Sequence, residues 1–190
     1  MREELVVIYQ NGTVTPLVRS DEYSPSVFGG PLEAEVSGNR FARQLHHIAT
    51  VNHNQLPILS EPHCIREIPL VYGLFYSGCM LEYTFEQGNI AVQSIEPEEP
   101  TENWPYANFP ALLPYVPLEV GTVTAEPWEQ FLRRAPNLPG EQPSEVVVLV
   151  PPPATLGFSM WGRDGDAEGV TIVFECSLKE RRVAAYNVCS

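Results

Sequence analysis

Basic residues are scarce in this 190-residue sequence. Eleven Lys and Arg residues stand against 24 Asp and Glu residues, which gives a formal net charge of −13 at pH 7. Proteins that bind DNA or RNA cluster Lys and Arg to neutralise phosphate groups, so the composition predicts no nucleic-acid partner. A strongly acidic surface keeps a protein soluble, and it also attracts a basic protein through long-range electrostatic steering.

Long apolar runs are missing as well. No stretch approaches the roughly 20 apolar residues that span a bilayer. The first apolar run, Leu5 to Tyr9, has only five residues, whereas the central region of a signal peptide has roughly 7–15. We therefore expect no membrane association and a cytoplasmic location.

Cysteines are few, and none form a C-x-x-C pair: they are Cys64, Cys79, Cys176 and Cys189. That spacing gives neither a zinc motif nor a redox motif, and in a cytosolic chain we expect reduced thiols. Cys79 and Cys176 lie beside or within strand-like runs, so we predict that both are buried as small apolar residues.

Catalytic signatures are absent. Ser159 lies in Gly157 to Gly162, a segment one residue too long for the G-x-S-x-G turn of a serine hydrolase. Cys64 follows His63 directly, but adjacency in sequence does not give the geometry of a nucleophile and its base. Gly29-Gly30-Pro31 lacks the lysine of a phosphate-binding loop. We therefore predict no catalytic residues, and the sequence favours a protein that is not an enzyme.

Histidines are concentrated in one stretch of 18 residues, at His46, His47, His53 and His63. Imidazole is a zinc ligand, yet this spacing matches no finger or ribbon pattern. We interpret His47 as a surface residue, His46 as a boundary residue and the other two as loop residues.

Proline, by contrast, is abundant. The chain has 19 prolines in 190 residues, and only 18% of its residues are charged, against typical values of about 5% and about 25%. Because proline is excluded from helix interiors and central strands, this composition favours a domain rich in strands and loops.

The hydrophobic pattern predicts a single α+β domain, residues 1–190, with a predominantly antiparallel sheet. Asn11-Gly12 is a strong hairpin signal. Residues 68–95 predict a three-stranded meander, in which Leu81, Tyr83 and Phe85 alternate with polar residues. Residues 145–189 predict further hairpins, with apolar runs beginning at Val146, Leu156, Val170 and Val183. Two short helices are predicted at about 39–51 and 126–134.

A proline-rich connector covers residues 96–117, and we expect it to be ordered because aromatic residues recur in it. Carboxylates and aromatic rings lie close together at its start, and aromatic residues are enriched in protein interfaces. We predict that this patch binds the partner; its residues are Glu96, Glu98, Glu99, Glu102, Trp104 and Tyr106.

One segment has acidic residues at alternate positions: Asp164, Asp166 and Glu168, followed by Gly169 and, later, Glu175. It resembles the calcium-binding loop of EF-hand proteins, in which such oxygens converge on the ion. The flanking runs read as strands, whereas that loop lies between helices. An extended run would also place Glu175 about 20 Å beyond the glycine. The first interpretation is a polar hairpin loop, and the alternative is a divalent-cation site.

Two hypotheses for function follow. The first is a non-catalytic, immunity-like or inhibitor-like protein whose acidic surface binds and neutralises a basic protein, without a cofactor. The chain is similar to small acidic immunity proteins in composition only. The second is a divalent-cation-dependent enzyme or metal-binding module that uses Asp164, Asp166 and Glu168, with Ca²⁺ as the ion.

Overall fold

The structure, a computed structural model, describes residues 2–38, 40, 45–53, 65–100, 104–135, 138, 145–160 and 170–189. Within these residues the chain forms thirteen strands and one short helix. The strands are β1 (Glu4–Gln10), β2 (Thr13–Arg19), β3 (Ser26–Phe28), β4 (Glu35–Ser37), β5 (His46–Asn52), β6 (Glu67–Tyr72), β7 (Gly78–Glu86), β8 (Asn89–Glu98), β9 (Val116–Val120), β10 (Thr124–Ala125), β11 (Val146–Val150), β12 (Val170–Ser177) and β13 (Arg182–Cys189). Helix α1 (Trp128–Phe131) continues into a 3₁₀ turn, Leu132–Arg134.

All thirteen strands belong to one sheet, in the order β4-β8-β7-β13-β12-β11-β1-β2-β9-β3-β5-β6, with β10 paired to β2. Every neighbouring pair is antiparallel except β4 and β8, and the sheet is not closed. The predicted α+β class with a predominantly antiparallel sheet is therefore confirmed. The Asn11-Gly12 hairpin is confirmed too, since both residues have the positive φ that this tight turn requires.

The helix predicted at about 39–51 is wrong where the structure describes it, because His46–Asn52 forms strand β5 between β3 and β6. Both faces of β5 are largely buried. A strand of this kind gives no alternating pattern, so its apolar residues also fit a helical period. The helix predicted at 126–134 is confirmed by α1 and its 3₁₀ turn.

The meander predicted at 68–95 has its three strands, but only β7 and β8 form a hairpin. Strand β6 pairs with β5, at the other end of the sheet. The edge of β6 that faces away from β5 meets the inner face of β7, where the Tyr83 hydroxyl donates to the Pro69 carbonyl (2.7 Å) and accepts from the Val71 amide (3.3 Å). Side-chain hydrogen bonds therefore take the place of a strand ladder there.

The predicted C-terminal hairpins are confirmed, since β11, β12 and β13 pair antiparallel in sequence order. The run at Leu156 is different: residues 151–160 form no strand. Cys79 and Cys176 are buried free thiols, as predicted, and burial raises the pKa of the Cys79 thiol to about 12. Among the described residues, no helix is both long and apolar enough to cross a membrane.

The core lies on both faces of the sheet. The inner face carries the larger cluster, to which residues of β1, β5, β7 and β12 all contribute. On the outer face, Trp128 and Phe131 of α1 pack on Tyr9 with ring centroids 5.1 and 4.6 Å away. The helix thus covers the outer face of β1, β11 and β12, whereas exposed polar residues continue that face over β7 and β8.

Candidate functional site

The first candidate surface is the exposed outer face of β7 and β8. Strand alternation turns Leu81 and Tyr83 inward and leaves Met80 and Glu82 outside. In the antiparallel register Met80 lies opposite Glu96, Glu82 opposite Ser94, and Glu98 opposite Gly78. We call Met80, Glu82, Glu96 and Glu98 the acidic face.

The acidic face is exposed, and its carboxylates form no ion pair with another described residue. Met80 is 63% exposed, and all three carboxylates are exposed. None of the ion pairs among the described residues includes Glu82, Glu96 or Glu98. Glu98 lies over Gly78, where an added Cβ would be 2.6 Å from Glu98 Oε2. These carboxylates therefore contribute no ion pair to the fold among the described residues, and they are exposed to a partner.

The remaining residues of the predicted partner site do not all lie at the surface. Glu99 is exposed beyond the end of β8, and Glu102 lies outside the described residues. Trp104 is only 2% exposed, and its indole N–H donates to the Leu74 carbonyl at 2.8 Å. Half-buried Tyr106 is hydrogen-bonded to the Ser159 backbone through its hydroxyl. The described carboxylates of the predicted patch, Glu96, Glu98 and Glu99, are therefore available to a partner, whereas Trp104 belongs to the core.

The acidic residues predicted for a cation site, Asp164, Asp166 and Glu168, lie outside the described residues. The run after them is a strand, as predicted, and it places Glu175 in the middle of β12, where the Tyr186 hydroxyl donates to its carboxylate (2.7 Å). In the part of the chain that the structure describes, no group of three His, Cys, Asp or Glu residues could hold a metal ion. The cation loop stays a prediction.

A second candidate surface is a cleft of about 800 Å³, which is within the range of about 300–1,000 Å³ typical of binding pockets. It lies on β3, β5 and β6, whose residues Val27, Thr50 and Pro69 form one cross-strand row along its floor. Tyr23 lies before β3, and Tyr115 lies beside its far end. We call this cleft the groove.

The two tyrosines of the groove are unusually exposed: Tyr23 is 87% exposed and Tyr115 is 53% exposed. The Tyr23 end also has Arg66 and Glu67, and Asn52 donates to the Glu67 carboxylate at 3.3 Å. No pattern in the sequence marks this site, because its residues are spread from Tyr23 to Arg181 along the chain.

His47 lies at the Tyr115 end of the groove, and its position differs from the predicted surface location. It is only 7% exposed. Its Nε2 is 2.9 Å from Thr50 Oγ1, and its Nδ1 has no hydrogen-bond partner among the described residues. Burial lowers the pKa of His47, although nearby carbonyls of Gly30 and Gly29 and the Glu33 carboxylate partly oppose that shift. The ring is therefore neutral at pH 7.

The neighbouring His46 points the other way, as alternation along a strand requires. Its ring packs against Phe75 and Phe109, with centroids 4.5 and 5.5 Å away, and its Nε2 is 3.2 Å from the Pro110 carbonyl oxygen. Burial lowers the pKa of His46 too. The structure therefore separates the two histidines to opposite faces of β5, and they do not form a joint metal site.

Two glycines shape the Tyr115 end. Gly29 and Gly30 have φ angles of 62° and 76°, a conformation that suits glycine. A Cβ at Gly29 would collide with the Pro114 carbonyl, and one at Gly30 would lie 2.7 Å from the Tyr115 ring. The Gly29-Gly30-Pro31 sequence was the one available signal for this close packing.

No family model, curated protein or solved structure matches this chain. Its function is therefore argued from the two surfaces above.

Proposed function

We propose that this protein binds another protein, of basic character, through its acidic face. The observation that supports this most directly is the exposed Met80 among the carboxylates Glu82, Glu96 and Glu98, none of which forms an ion pair among the described residues. An apolar side chain within a charged rim is the arrangement expected of an interface anchor.

The net charge of −13 supports the same partner chemistry. Complementary charge accelerates encounter and disfavours wrong partners. A partner whose basic cleft is covered by this face would lose access to its own anionic ligand. The proposed role is thus that of an immunity-like or inhibitor-like protein that acts by steric and electrostatic blockade, with no catalytic step of its own.

The test is capture of partners from the native host at low salt, with the wild type and a variant that carries Glu82→Gln, Glu96→Gln and Glu98→Gln. We expect a basic protein that is retained by the wild type and lost with the variant. Retention should also fall steeply as salt rises, because screening shortens the range of surface charge.

The matched control carries Asp21→Asn, Glu22→Gln and Glu129→Gln, which removes the same charge from exposed positions elsewhere. It should keep the partner. Glu96 and Glu98 also lie where β8 has no further strand beside it among the described residues, and edge charges oppose pairing between copies. Size-exclusion chromatography must therefore give the same elution volume for all three proteins. Equal retention of the basic protein by both variants would refute the proposal.

A further inference from the structure

The Tyr115 end of the groove collects groups that attract a cation. Tyr115 presents an exposed aromatic face, and exposed Glu33 lines the same cleft. Gly29 and His47 line the cleft as well, and Gly30 lies against the Tyr115 ring. Aromatic faces, carboxylates and carbonyl oxygens are all negative, so they suit a positively charged group.

Two arginines line the groove. One lies at the opposite end from Tyr115, and the other already forms an ion pair. Arg181 forms an ion pair with Glu86 at 2.7 Å. Arg66 precedes β6, at the Tyr23 end, and its carbonyl accepts a hydrogen bond from the His53 amide. Along β6, Glu67 lies opposite Asn52 and Val71 lies opposite His47, so the Arg66 end of the groove is about 13 Å from His47 at about 3.3 Å per residue. The Tyr115 end therefore offers Glu33 without a described cationic partner.

We propose that this end of the groove binds an arginine side chain, with the guanidinium stacked on Tyr115 and hydrogen-bonded to Glu33. Arginine fits better than lysine because its planar guanidinium can stack on a ring and donate to a carboxylate at the same time. The proposal rests on the proposed function, since the arginine would belong to the same basic partner. It adds a second contact, on a different part of the surface from the acidic face.

His47 has a defined part in this site. Its buried ring forms part of the wall, and in the neutral state it does not repel the guanidinium. Its Nδ1 has no partner among the described residues, so the polar surroundings at this end are not fully satisfied by the fold. An unsatisfied buried polar atom is uncommon in native proteins, and a bound polar group is one explanation for it.

The test is an NMR titration of the folded protein with a capped Gly-Arg-Gly peptide, using the same peptide with citrulline as the control. Citrulline keeps the planar shape and removes the charge. We expect the arginine peptide to shift the ring resonances of Tyr115 and His47 and the citrulline peptide to leave them unchanged. Equal shifts with both peptides, or equal shifts with a neutral disaccharide, would overturn the proposal.

Two pairs of variants sharpen this result. Glu33→Gln should weaken the arginine peptide about fivefold, as expected for an exposed ion pair. Glu35→Gln, which removes a neighbouring exposed charge outside the groove, should leave binding unchanged. Tyr115→Ala should abolish the shifts at His47, whereas Tyr115→Phe, which keeps the ring, should retain them. Equal weakening by Glu33→Gln and Glu35→Gln would show a general charge effect and refute the site.

The titration also separates this inference from the proposed function. The triple variant of the acidic face keeps the groove intact, so it should bind the arginine peptide as the wild type does. If the peptide binds but partner capture does not depend on the acidic face, only the proposed function fails. If the peptide leaves Tyr115 and His47 unshifted, the groove inference fails whatever the capture experiment shows.

Discussion

At the scale of single residues, Trp104 differs most from its prediction. The sequence placed it in a protein interface, and the structure places it in the core. Its ring is packed edge-on against Tyr106 and Phe109, with centroids 5.8 and 4.7 Å away, and its N–H reaches the Leu74 carbonyl. We expect Trp104→Phe to reduce the free energy of unfolding by about 2–3 kcal/mol, through lost packing and an unpaired carbonyl. Urea denaturation measures this effect.

A control for the Trp104→Phe variant lies in the same proline-rich connector. Leu112 is 58% exposed, so Leu112→Ala should change the free energy of unfolding by less than about 0.5 kcal/mol. A Trp104→Phe variant as stable as the wild type would contradict the core role of the indole.

The buried histidines predict a pH dependence of stability. Burial lowers the pKa of both His46 and His47 from the ordinary value of 6.5. Below pH 6.5 the unfolded chain therefore binds protons that the folded chain refuses, and the free energy of unfolding falls as the pH falls. Above about pH 7.5 the histidines are largely neutral in both states, and the contribution is nearly constant.

Urea denaturation between about pH 8 and pH 5 tests this, with His46→Phe as the comparison. The substitution keeps an aromatic ring between Phe75 and Phe109 and removes one titrating group. The free energy of unfolding of His46→Phe should fall less than that of the wild type over the same pH range. Parallel curves for the two proteins would show that His46 does not contribute.

At the scale of elements, the sequence predicts a strand well when one face of it is exposed. Strand β7 alternates between buried and exposed residues, and its register on β8 also placed Glu96 and Glu98 of the predicted partner site at the surface. Strand β5 is largely buried on both faces, so nothing in its pattern opposed a helix. The groove could not be predicted from the sequence, for a further reason. Val27, Thr50 and Pro69 become neighbours only through pairing of strands distant in sequence.

The contact between β6 and β7 shows a second limit of prediction from hydrophobic periodicity. A short connection from Tyr72 to Gly78 suggests a hairpin, but the hydroxyls of Tyr72 and Tyr83 bind the backbone across that junction instead. A single hydroxyl that satisfies both a carbonyl and an amide leaves no signature in hydrophobic periodicity, because tyrosine counts there simply as a large core residue.

Tyr83→Phe tests this junction. Removal of the hydroxyl leaves the Pro69 carbonyl and the Val71 amide without the partner seen here, and each buried group left unpaired costs about 1–3 kcal/mol. Urea denaturation should show that loss, and hydrogen exchange should accelerate at Val71 more than at the centre of β12. Exposed Tyr23→Phe should change neither measurement. An unchanged exchange rate at Val71 would contradict the hydroxyl contact.

At the scale of the whole molecule, β1 joins two arms of the sheet. One arm runs from β11 to β4 and contains the acidic face, and the other runs from β2 to β6 and forms the floor of the groove, whose lining also includes residues 85–89 and Arg181 of the first arm. Residues of both arms share the inner core cluster, including Ile48 and Leu70 of one and Tyr83 and Phe174 of the other. The two proposed binding surfaces therefore belong to one framework and depend on the same buried contacts.

This arrangement predicts that the chain unfolds as one cooperative unit, as expected for a single domain. Opening either arm exposes the apolar surface that it shares with the other, so a partly unfolded state with one intact arm is strongly disfavoured. Hydrogen exchange at increasing urea should give the same free energy of opening for amides of β5 and β12.

A proline in central β1, such as Ile8→Pro, should unfold both arms together, because it removes a ladder hydrogen bond and cannot be accommodated in a central strand. The same change in the short strand β4, Val36→Pro, should leave β5 and β12 protected, since β8 is the one strand that pairs with β4 within the described part of the chain. Two separate transitions in the wild type, or protection of β5 in Ile8→Pro, would show that the arms are independent domains.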